Sequence, residues 1–260
     1  MRRTGLLVQV GVVARRSVVR TLRQPAMVVP SLVFPLILLS INASGLESAT
    51  HLPGFPTDSY FQFALAIPFV QGALFSANSA GTNVANDIES GFLNRLALTP
   101  LRRVALMMGQ LAGIVALGLI QAVTFVLVGV AFGEGIAAGV GGALVIVALS
   151  LVISLGFGCI GAFVALRSGS GEAVQGVFPL FFAALFLSSM SLPRNLIETD
   201  WFRTVADWNP VSYMLEAIRS LVIVGWDAEA LELGFLCAGG LALIALVAAS
   251  SALRTRMVRT

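Results

Sequence analysis

The residues of this chain that could do chemistry are few, and most stand in one stretch, NDIESGFLNRLALTPLRR at 86–103. It sets Asp87, Glu89, Arg95, Arg102 and Arg103 between two long apolar runs. Carboxylates and guanidiniums this close can pair with each other, with a partner's charges, or with the free amides of a helix N-terminus. Ile88, Phe92, Leu93 and Leu96 fall on one face at helical spacing, while Asp87, Glu89, Asn94 and Arg95 are polar. Pro100 stops the helix beyond Thr99. The spacing predicts a short polar helix over 86–99. Its chemistry is recognition: either a lever that docks on a soluble partner or a plain amphipathic connector.

Other reactive groups are isolated. His51 stands alone, and Cys159 and Cys237 both lie inside apolar runs. These residues assemble no metal cluster and no nucleophilic triad. All 16 basic residues are arginine. A Walker-type phosphate loop needs a lysine after its glycines, so the chain is expected to bind no ATP itself. The glycine-rich Arg167-Ser168-Gly169-Ser170-Gly171 lacks the strand-then-helix context of a phosphate loop and reads as a turn. No cofactor or metal is expected on this chain. The arginines gather at the ends of apolar runs rather than on one basic face, which speaks against nucleic acid.

The elements that must position these groups are membrane-like. The chain is 57% hydrophobic and 11% charged, against roughly 25% charged in a soluble domain. A span needs about 20 apolar residues. Six segments qualify: 26–43, 60–84, 104–132, 139–166, 173–191 and 233–253. The first follows a basic amphipathic segment and is long enough to span, so it reads as a retained helix rather than a cleaved signal. With the N-terminus placed in the cytoplasm, thirteen of the sixteen arginines fall inside. Only Arg194, Arg203 and Arg219 fall outside. The positive-inside rule then puts both termini in the cytoplasm. GxxxG-like spacings at Gly109 and Gly113, and at Gly129 and Gly133, suggest helix packing. The expectation is a single all-α membrane domain over 1–260.

Two further pieces flank the spans. Residues 5–24 form an amphipathic helix with Leu7, Val10, Ala14, Val18 and Leu22 on one side and Arg16, Arg20 and Arg23 on the other. It suits anionic inner-leaflet headgroups, with or without a partner. On the outer side, 192–232 carries Trp201, Trp208, Tyr213 and Trp226, the aromatics of a membrane interface. Asn209-Pro210 starts a helix over 209–225, too short to cross and suited to re-enter. Glu216 and Arg219 stand three residues apart and could pair. The spans carry amides and hydroxyls in place of acids: Asn42, Gln71, Asn78, Gln121 and Ser188 are candidates for a pathway, or for helix-joining contacts. Proton or sodium coupling usually shows as ionisable groups at membrane depth, so a pathway for bulky amphipathic molecules fits better.

These residues also carry a family resemblance. Glu89-Ser90-Gly91-Phe92-Leu93, Arg95-Leu96 and Thr99-Pro100 resemble the E-x-G-x-L-x-x-L-x-x-T-P signature of type-2 ABC exporter permeases. Asn209-Pro210 followed by Glu216-Ala217-Ile218-Arg219 resembles the NP-x-x-x-x-x-E-A-x-R element of that family. The nearest likeness is to the daunorubicin-resistance type, common in high-GC bacteria. The chain departs from it after Leu192-Pro193, where Arg194-Asn195-Leu196 replace aromatic residues. The resemblance implies that 86–99 is a coupling helix seated in a separate ATPase, with 5–24 an interface helix beside it. It implies that 209–225 closes the outer exit, and that two permeases work with two ATPase subunits, which hold ATP and Mg. The chain would then be a plasma-membrane exporter of drugs or lipid-like compounds. A lipid-linked glycan exporter, an ion-coupled transporter and a non-transporting assembly factor are the alternatives.

Overall fold

The computed structural model describes residues 5–97 and 103–258, and the described residues form helices and turns without strands. Helix α1 spans Leu6–Leu22, and α2, begun by Pro25, spans Pro25–Gly45. Helices α3 (Tyr60–Ala64) and α4 (Ala66–Glu89) are one rod broken at Leu65. The break has a local cause: Pro68 has no N–H to give the carbonyl four residues back. There follow α5 (Phe92–Ala97), α6 (Arg103–Ala131), α7 (Gly139–Ser168) and α8 (Gly171–Phe186). The remainder is α9 (Asp200–Trp208), α10 (Pro210–Arg219), a π-helical turn at Ser220–Val224, and α11 (Ala228–Val258).

The fold is therefore an all-α membrane architecture. Among the described residues, five helices are long and apolar enough to cross a bilayer: Pro25–Gly45, Tyr60–Glu89, Val104–Ala131, Gly139–Ser168 and Ala228–Arg256. The segment expected to span at 173–191 is shorter. Its helix, Gly171–Phe186, has 16 residues and rises only about 24 Å. Tertiary contacts end it: the Asn209 amide donates to Ala184 O at 2.6 Å and Leu187 O at 3.1 Å, satisfying carbonyls of the last turn.

The rod α3–α4 sits at the centre, and α4 lies nearly backbone to backbone on α7. A Cβ on Gly161 would stand 1.9 Å from the Ala77 carbonyl oxygen. Only glycine permits that approach. Around this contact Phe63, Leu74, Leu149, Ile153 and Leu215 are fully buried. The predicted packing role of Gly109 and Gly113 is realised against α1, where Cβ atoms would lie 2.1 Å from Val13 Cγ1 and 2.4 Å from Ser17 Oγ.

Candidate functional site

The expected polar helix over 86–99 is divided. Residues 86–89 complete α4, so Asp87 and Glu89 end one helix rather than begin another. Ser90 N donates to Asn86 O and Gly91 N to Ile88 O, closing α4. Gly91 then turns left-handed at φ +67°, a conformation that favours glycine. Its carbonyl accepts from Arg95 N at 3.1 Å and so starts α5. Thr99 and Pro100 lie outside the described residues, as does the end of the signature helix. Leu96 falls within α5.

Each acid finds a partner that the local sequence does not announce. Asp87 Oδ1 accepts from Arg20 Nη1 at 2.6 Å and Arg16 Nη2 at 3.1 Å. The arginines expected on headgroups thus face α4 instead. The Arg16 guanidinium also covers the Phe92 ring, 3.8 Å from its centroid. Arg23 is exposed at the end of α1. Glu89, expected to cap the polar helix or meet a partner's arginine, lies 3.4 Å from Gly171 N, at the N-terminus of α8. A carboxylate is favoured there by the free amides and the helix dipole. Leu93 is buried with Val84, Leu106, Leu166 and Leu253, whereas Arg95 is exposed. So α5 is anchored by one apolar side chain and one ring while Arg95 faces outward.

The opposite end of α4 is built around Arg219. It is 5% exposed and does not pair with Glu216. Its Nε donates to Phe63 O at 3.0 Å, and its Nη1 and Nη2 donate to Ser189 O and Met190 O at 2.5 Å each. The guanidinium stacks 3.7 Å over the Phe63 ring. Three of its five N–H donors are thus bonded to main-chain carbonyls, the kind of compensation a buried cation requires. Glu216 instead pairs with Arg194 at 2.5 Å, and Arg194 lies over the Tyr213 ring at 4.5 Å. Burial works against the charge on Arg194, but the bonds and charges of Glu216 and Tyr213 together outweigh it and hold its pKa above the ordinary arginine value. Asn209 caps α10 as expected, accepting from Val211 N at 3.0 Å, with Pro210 at the first helical position. The π-turn that follows carries the segment to Val224, where Gly225 at φ +110° ends it.

The polar residues singled out in the spans take different places in the fold. Asn42 bonds back to Leu38 O at 2.8 Å within α2. Ser188 donates to Leu185 O at 2.5 Å and is buried at the end of α8. Gln121 accepts from Ser76 Oγ at 3.2 Å, joining α6 to α4. Gln71 and Asn78 share a face of α4 with Phe75 and Thr82 by their spacing. Polar atoms of Gln71, Asn78 and Thr82 have no partner among the described residues. Beside them Phe75 joins Phe34, Phe178 and Phe182 in edge-on contacts 5.2–6.3 Å apart. Sequence reasoning missed this aromatic cluster across α2, α4 and α8 because its members are remote in the chain.

A space opens between α1, α4 and α6. Asp87, Arg16 and Arg20 stand at its wall with Ser17, Asn83 and Gln110.

Residues 8–223 match the family described as ABC-2 type transporter. That is most of the chain, and the protein belongs to this family. It is a multi-pass membrane protein and a permease subunit of a type-2 ABC transporter. Members are the membrane part of such transporters, which lacks the ATPase site and partners with an ABC ATPase. No curated protein matches the chain.

Proposed function

We propose that the chain is the membrane half of an ATP-driven exporter of hydrophobic or amphipathic small molecules, of the daunorubicin-resistance type. Both termini lie in the cytoplasm of a bacterial cell, in the plasma membrane. Two copies of a soluble ATPase, carrying ATP and Mg, dock where α4 ends and α5 begins, and two copies of this chain pair. The observation that carries the coupling reading is α5 itself. It is short, held through Leu93 and Phe92, and attached to the central rod through one turn at Ser90-Gly91. A push on its exposed side reaches α4 and α1 together.

The aromatic face of α2, α4 and α8 supports the substrate class. Apolar rings with a few convergent polar groups suit an amphipathic molecule. Among the described residues no Asp or Glu is buried within the helices, which favours ATP drive over ion coupling. The test is co-purification with the ATPase of a neighbouring reading frame. The Glu89→Ala, Gly91→Trp double variant should insert normally but lose the ATPase or uncouple ATP turnover from export. Wild-type export by that variant would sink the coupling reading.

A further inference from the structure

Helix α1 meets its two neighbours in different ways. Against α6 it is zipped by close apolar and small-residue contacts, Val13 on Gly109 and Ser17 on Gly113. Between it and α4 lies a space of about 50 Å³ open to the centres of water molecules, whose largely apolar wall also carries Ser17, Thr21, Ser79, Asn83 and Gln110. That volume suits roughly three to five waters. Asn83 Oδ1 and Gln110 Oε1 are buried and lack a hydrogen-bond partner among the described residues. Where the space reaches Asp87, charge bridges the two helices through Arg16 and Arg20.

We propose that the Arg16/Arg20–Asp87 junction is a releasable latch, which lets the ends of α1 and α6 nearest Asp87 swing together away from α4 when α5 is displaced, hinged where Gln121 of α6 meets Ser76 of α4. This rests on the coupling reading above. Three features make the junction releasable. One carboxylate faces two guanidiniums, so one cation is in excess and can be given up. The charged groups keep contact with solvent, with side chains 43%, 24% and 14% exposed for Arg16, Arg20 and Asp87, and water can replace each bond lost. Arg16 lies on the Phe92 ring of α5 as well as on Asp87, so any movement of Phe92 disturbs the pair directly. Release would widen the space at its Asp87 end without breaking the α1–α6 or α4–α7 packing or the Ser76–Gln121 bond between α4 and α6.

The test uses the permease–ATPase complex in lipid, in a Cys159→Ala, Cys237→Ala background. Arg20→Cys with Asp87→Cys should form a disulfide-linked crosslink in the nucleotide-free complex, through a short bis-methanethiosulfonate spacer that stands in for the length of the lost arginine side chain. Its yield should fall when ATP and vanadate trap the cycle. Once locked, the complex should lose ATP turnover above that of the ATPase alone, and a reductant should restore it. A separate Asn83→Cys variant keeps the latch, and its labelling by a small hydrophilic thiol reagent should rise with nucleotide. Disulfide yield and Asn83→Cys labelling that both ignore nucleotide, in a complex that still hydrolyses ATP, would overturn the latch alone. A wild-type chain that holds no ATPase would overturn the latch and the coupling reading together.

Discussion

Asp87 and Arg219 mark opposite ends of the central rod, about 36 Å apart along α4, and the two ends treat charge differently. At the Arg219 end the cation is buried and held by three main-chain carbonyls and a ring. Carbonyls from two places in the chain, Phe63 and Ser189-Met190, converge on it, so it fixes α3, the turn after α8 and its own helix α10 to one another. At the Asp87 end the carboxylate holds two partly exposed side chains at the wall of an open space. Charge removed from water holds fast only when fully satisfied, and then the loss of one group is costly. Charge left near water binds weakly and exchanges readily. One end is built as an anchor and the other as a joint.

The strongest challenge to this contrast is Arg219→Ala. It orphans three carbonyls and leaves a cavity, and should cost roughly 3–5 kcal/mol, read as a large fall in the thermal unfolding midpoint in detergent. A small fall would remove the anchor. Next comes Gly109→Ala, whose Cβ would meet Val13 Cγ1 at 2.1 Å. Overpacking should cost about 1–3 kcal/mol, measured in the same way, and shows whether α1 is zipped to α6. Gly91→Ala is milder, because a Cβ there meets nothing within 4 Å. Only the left-handed φ of +67° opposes it, at about 1 kcal/mol, and ATP coupling should suffer more than stability. The smallest thermal effect belongs to Arg20→Ala, about 0–1 kcal/mol, while ATP turnover in the complex should change clearly. A midpoint shift as large as that of Arg219→Ala would make the two ends alike.

Local chemistry was legible along the chain. Length and apolarity marked the spans Pro25–Gly45, Val104–Ala131 and Gly139–Ser168, and Asn209-Pro210 marked the start of α10. These depend on neighbours a few residues away, which a sequence displays directly. The division of 86–99 at Gly91 was not read, although glycine after Glu89-Ser90 is a familiar helix-ending signal. Its apolar periodicity runs through the turn without interruption.

The chain's composition alone determined an all-α membrane protein without a phosphate loop, because long apolar helices are forced by the cost of unpaired backbone groups in lipid. Only the tertiary structure decided which charges meet. Arg16 and Arg20 could have lain on headgroups, and Glu216 could have paired with Arg219 on its own helix. Instead Asp87 takes the first two from 71 and 67 residues away, and Arg194 takes Glu216 from 22 residues away. Ion pairing has no periodicity and no directional code along the chain. The partner is set by which helix ends the packing brings together, and in this protein the glycines of α4, α6 and α7 set that packing.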